Sequence, residues 1–185
     1  MVASFRRARK GGVSVTFGVD ETRVLGHVLA EMVELLGPAE DAGAPDEDPL
    51  AVAVGIGTST TAPADPALAR LFPDGYSDDP DASADFRRYT ETGLRSTKLE
   101  ALKTALATLG EPGQRVTLTP EQAEAWLRAL NDTRLVLGAR LGITDEIEEV
   151  IASLGEDDPR LALFWVYDRL TYLQETLVQT LASGS

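Results

Sequence analysis

The chain of 185 residues contains no cysteine and a single histidine. Without thiols it has no disulfide, no thiolate zinc site, no iron–sulfur cluster and no thiol redox switch. Any Ser–His–Asp arrangement would have to use His27. Arg23 and Glu31 lie one turn away on either side, which places that imidazole at the edge of a helix's apolar face. Metal ligation is left to carboxylates, and no EF-hand spacing occurs, so no metal or other cofactor is expected. No segment approaches the roughly 18 unbroken apolar residues of a membrane span. Arg6, Arg7, Arg9 and Lys10 are not followed by an apolar stretch, so no secretory signal is expected. A cytoplasmic protein fits these absences.

What is abundant is acid. The formal net charge is −13, which repels duplex DNA unless the basic residues segregate. The acids cluster at Glu40–Asp48, at Asp74–Asp85 and at Asp145–Asp158. Such runs read either as solvated faces and loops or as an acidic docking surface for a basic partner. Hydrophobic content of 43% and charged content of 25% are those of a globular protein, and the length suits one domain over 1–185.

Val13, Val15 and Phe17 alternate with Ser14 and Thr16, so 4–9 and 13–17 predict a β-hairpin around Lys10-Gly11-Gly12. Asp20 then reads as the cap of a helix whose apolar face is Val24, Leu25, Val28, Leu29, Met32, Leu35 and Leu36, stopped at Gly37-Pro38. Residues 37–64 are acidic and rich in Gly, Pro and Ala, a loop expected to be partly mobile. Within it, 49–55 fits a short helix or a buried strand equally well. Asp65-Pro66 opens a short helix, and Pro73-Asp74-Gly75 is a turn. A long helix is expected from Pro80 to Leu109, with Phe86, Leu94, Leu102, Leu106 and Leu109 near one face. Arg115–Leu118 is a third strand that would pair with the hairpin. Thr119-Pro120-Glu121-Gln122 is a strong helix start, and that helix ends at Gly142. Thr144 caps a helix to Leu154, and Asp158-Pro159 starts the last, running to Ala182. The expected fold is α+β and predominantly helical, with five to six helices and a small antiparallel sheet.

Chemical motifs are sparse. Gly55-Ile56-Gly57-Thr58-Ser59-Thr60-Thr61 lacks the lysine of a P-loop and the third glycine of a dinucleotide fingerprint, and reads as a loop. No Gly-x-Ser-x-Gly elbow occurs. Two basic groups stand out: Arg6, Arg7, Arg9 and Lys10 on the hairpin, and Arg87, Arg88, Arg95, Lys98 and Lys103 on the long helix. Glu91 precedes Arg95 by four residues, the favoured order for a helical ion pair. Lys98 lies between Leu94 and Leu102 and points inward on that spacing. Arg87, Arg88, Arg95 and Lys98 therefore read as structural pairs or as a surface for nucleic acid or an acidic partner. Only Phe86 and Tyr89 are interleaved aromatics, which disfavours base stacking.

Arg134 falls in an apolar stripe with Leu130 and Leu137, where burial requires a partner. Asp132, two residues away, points to another side. Arg134, with Asp132 and Arg140, is thus a candidate for a buried ion pair with another element or for an anion site. On the last helix, Leu163, Val166, Leu170, Leu173, Leu177 and Leu181 form one apolar stripe, and Leu161, Trp165 and Tyr172 form a second. Either the core surrounds this helix or the second stripe docks another subunit, as in a homodimer, or a partner.

Three segments together, PALARLFPDGY at 66–76, Asp85-Phe86-Arg87-Arg88 with Leu94-Arg95 and Lys98, and Trp126 to Thr144, resemble an actinobacterial family of unknown function that includes an oxidative-stress regulator of transcription. The resemblance follows motif order over nearly the whole chain. It implies a cytoplasmic, non-enzymatic regulatory protein that contacts other proteins, a sigma factor or RNA polymerase among them. Family genes often lie near the Clp protease adaptor, which implies an accessory role in regulated proteolysis as the alternative. The regulator's cysteine-based switch has no counterpart here.

Overall fold

In a computed structural model the described residues are 3–8, 12–37, 59–76, 78–143, 151, 154–155 and 157–183. Most of the expected 37–64 loop, its 49–55 segment, Gly55 to Thr58, Arg9 and Lys10, and most of the 144–154 helix lie outside them.

The hairpin forms with shorter strands than the alternation suggests: β1 is Arg6–Arg7 and β2 is Val13–Thr16. β3, Arg115–Leu118, pairs antiparallel with β2 as expected, giving the order β1-β2-β3, with Val13 opposite Leu118 and Val15 opposite Val116. Gly12 has φ 94°, and a Cβ there would lie 2.5 Å from the Leu118 carbonyl oxygen, so only glycine fits where the hairpin crosses β3.

Five helices lie among the described residues: α1 Val19–Leu35, α2 Pro66–Leu71, α3 Pro80–Ala107, α4 Pro120–Leu141 and α5 Arg160–Ala182. Asp20 does not cap α1. Gly18 is the N-cap, and the carboxylate of Glu21 accepts its backbone N–H at 3.1 Å, because the third helical position reaches back where Asp20 cannot. Three starts follow sequence: Asp65 caps α2, Asp79 caps α3 and Thr119 caps α4, each followed by proline, whereas at α5 Pro159 is the N-cap and the helix begins at Arg160.

α4 is the hub. It packs on α5, α3 and α2, and its buried residues (Ala123, Trp126, Ala129, Leu130, Asp132, Thr133, Val136 and Leu137) cover one half of its circumference. Trp126 is wholly buried, stacks on Phe17 at 5.5 Å between centroids, meets Phe5 edge-on and donates its indole N–H to Thr108 Oγ1 at 2.8 Å. The sheet's inner face, α1 and α5 complete one continuous apolar core.

The face of α3 departs from expectation over its first half. Phe86 and Leu94 are exposed, and Ser83, Arg87 and Glu91 are buried instead, before an apolar face resumes at Ala101, Leu102 and Ala105. On α5, Leu163 is exposed and Phe164 takes its place in the core with Leu170, Leu173 and Leu177.

The N-terminal segment is laced to α5. The Phe5 N–H donates to Thr176 Oγ1 at 3.3 Å, Thr180 Oγ1 donates to the Phe5 carbonyl at 3.1 Å, and Arg7 donates to the Ser183 carbonyl at 2.9 Å. Arg169 donates to the Ala3 carbonyl and to Glu21.

Candidate interaction surface

The cations expected on the long helix are mostly turned inward. Arg87 is 4% exposed, donating to Glu91 at 2.7 Å, to Asp74 at 2.7 Å and to the Phe72 carbonyl at 3.1 Å. Arg95 donates to the other oxygen of Glu91 at 3.1 Å and lies 4.6 Å over the Phe72 ring. Ser59 reaches the same carboxylate at 3.3 Å, which is where the glycine–threonine segment enters the described structure. Burial works to lower the Arg87 pKa, but the hydrogen bonds it donates to Glu91 and Asp74 outweigh it and hold it above the ordinary value.

This network fastens the 72–76 turn to α3. Ser83 Oγ donates to the Tyr76 carbonyl at 2.6 Å, and Tyr76 meets Phe86 edge-on. A Cβ on Gly75 would lie 2.7 Å from the Phe86 ring, so a side chain there would have to push that exposed ring aside. Sequence reasoning did not single out Glu91, Asp74 or Ser83 as a site. The signal was available: Ser83, Arg87, Glu91 and Arg95 recur every four residues, a polar stripe on one face.

Lys98 reaches into the protein as its spacing suggests and pairs with Asp132 on α4 at 2.9 Å. Asp132 therefore joins α4 to α3 and does not meet Arg134. Arg134 is half-buried, its guanidinium 6.0 Å from the Tyr167 ring centroid, and among the described residues no carboxylate pairs with it. It borders a recess of about 400 Å³ with Arg70, Leu135 and Gly138. Arg140 is exposed in the last turn of α4, and Arg88 is on the surface with Asp85 4.0 Å away. His27 is exposed, 3.4 Å from Glu31.

The second stripe of α5 is not enclosed by the core. Trp165 is 52% exposed and Tyr172 40%, while Leu161, one turn before Trp165, is half-buried. Trp165 and Tyr172 line a groove of about 600 Å³ between α5 and the start of α1, whose far wall is Gly18, Val19, Asp20 and Glu21. Val19 is 59% exposed. Asp168 and Glu175 stand on the same face of α5, one turn from Trp165 and Tyr172 respectively. Among the described residues that line the groove the one cation is Arg169, held by Glu21 at 2.6 Å and 5.0 Å over the Tyr172 ring. Among the described residues, Asp168 and Glu175 have no cationic partner. The α1 wall was invisible in sequence because it lies some 146 residues before Trp165, brought there by the lacing of Glu21 to Arg169.

Among the described residues, no three His, Asp or Glu side chains converge on a metal position, and no helix is long and apolar enough to cross a membrane.

Comparison with known proteins gives a consistent result. The domain of unknown function DUF2017 matches residues 2–181. Proteins named oxidative stress regulator AosR, from Mycobacterium tuberculosis and Mycobacterium bovis, are 35% identical over 175 residues, covering 87% of this chain and 78% of theirs. No solved structure matches.

Proposed function

The chain belongs to the DUF2017 family, and from that footing we propose that it is a cytoplasmic regulator of the oxidative-stress response that works by binding another protein and not by catalysis. The likeness to proteins named as oxidative stress regulators, spread over most of the chain, carries this reading. Charge placement supports a protein partner over nucleic acid. Arg87, Arg95 and Lys98 spend their charge on internal carboxylates, so α3 presents no basic strip to phosphates, and the surplus acid stays outside. The partner belongs to the transcription machinery, a sigma factor or RNA polymerase. Regulation here runs without thiol chemistry, since the 185 residues contain no cysteine.

Deleting the gene in the native host and challenging with hydrogen peroxide tests the reading. The transcript response is expected to weaken and to return on complementation. The purified chain is expected to bind polymerase or a sigma subunit in a surface-immobilised assay. Binding to Clp components instead would move the protein to regulated proteolysis. A metabolite turned over by the purified chain would end the non-catalytic reading.

A further inference from the structure

We infer that the groove between α1 and α5 receives a basic segment of a protein partner, seating a lysine or arginine side chain against Trp165 and Tyr172. The inference rests on the protein-binding reading above and names its site and the chemistry of its partner.

Exposed indole and phenol rings attract cations through their π faces, and the neighbouring carboxylates of Asp168 and Glu175 supply the matching charge. The groove already binds one cation in this way: Arg169 lies over Tyr172 and is held by Glu21. Trp165 has no such companion among the described residues. The apolar rim, Val19 with the faces of the two rings, suits the methylene stem of a long cationic side chain.

Charge selects among occupants. A second copy related by two-fold symmetry would bring acid against acid, since the same patch meets itself. Anionic lipid and nucleic acid are repelled by Asp20, Asp168 and Glu175 and by a chain of net charge −13. A basic stretch of protein is attracted by all of them.

The test titrates the full chain into a fluorescein-labelled peptide of lysine and leucine at helical spacing and reads anisotropy. Acrylamide quenching adds a site-specific signal: Trp126 is fully buried, so the quenchable indole is Trp165. The peptide is expected to bind and to shield Trp165. Trp165→Ala is expected to weaken binding about tenfold or more, and Asp168→Lys to do the same at an exposed position that disturbs no core contact. Glu100→Gln with Glu111→Gln, which removes charge elsewhere on the surface, is expected to leave affinity unchanged. Three results would overturn the inference: equal weakening by the Glu100 and Glu111 changes, unaltered quenching at saturating peptide, or concentration-dependent dimerisation that Trp165→Ala abolishes. Complementation separates the two readings. If Asp168→Lys restores the peroxide response fully, the groove is not the working surface and the regulatory reading stands. If the deletion itself leaves the response normal, the regulatory reading falls whatever the peptide does.

Discussion

Among single side chains, Arg87 and Glu91 bear the greatest consequence. An arginine does not neutralise itself inside a protein, so its burial is tolerable only with carboxylates in place. Arg87→Met leaves Glu91 buried with Arg95 as its remaining cation and Phe72 without its donor. The expected loss is about 3–5 kcal/mol, read as a lowered urea midpoint at unchanged slope. Because the folded pKa of Arg87 lies above its ordinary value, its contribution is present throughout the neutral range and is lost only in strong alkali. The Lys98–Asp132 pair predicts an asymmetry. Lys98→Met strands a carboxylate whose side chain is 5% exposed, whereas Asp132→Asn leaves a flexible ammonium that can turn to water. The first variant is expected to cost about 3 kcal/mol and the second about 1, by the same denaturation measurement. The inward course of Lys98 was legible from Leu102, which is buried one turn on, although Leu94, the other flanking leucine, is exposed. The burial of Arg87 was not: the recurrence of Ser83, Arg87, Glu91 and Arg95 marks a shared stripe but not whether it faces core or solvent. Phe86, one position earlier, drew the inferred apolar face around to the wrong side, and the partner Asp74 comes from a turn that sequence alone does not place beside α3.

Among elements, the helix starts were the most readable part of the chain, because proline at the first helical position and an acid or hydroxyl just before it act through strictly local geometry. The starts of α1 and α5 were the exceptions: in α1 the cap is made from the third helical position, and Asp20 only looks the part, while in α5 Pro159 is itself the N-cap and the helix begins at Arg160. The start of α5 carries a pH dependence. Arg160 donates to Asp158 through its side chain and its backbone N–H, holding that carboxyl below the usual range. A depressed folded pKa stabilises above the ordinary carboxylate pKa and ceases to do so as pH falls through the folded value. Asp158→Asn is therefore expected to lower the thermal midpoint slightly at neutral pH, with the gap to the parent closing in acid. The effect is small because Arg160 is exposed and Asp158 is only partly covered, so water screens the pair.

For the molecule as a whole, the surplus of acid works against compactness. Raising ionic strength screens that repulsion, so the thermal midpoint is expected to climb modestly as sodium chloride is added to a low-salt buffer, checked by calorimetry. The class of fold and the three-stranded sheet were legible, because alternation and turn chemistry are local. The groove was only half legible. The Trp165 and Tyr172 stripe could be counted along α5, but whether it faced core or solvent depended on which side α4 and the N-terminal segment occupied, and spacing along one helix does not decide that.

The lacing of Ala3, Phe5 and Arg7 to α5 sets the timetable of biogenesis. Thr176 and Thr180 are synthesised some 170 residues after Phe5, so this seam cannot shut until α5 has emerged from the ribosome. The hairpin can curl early, but one flank stays unzipped until α5 has been made, and the native state then requires closing a loop of some 170 residues.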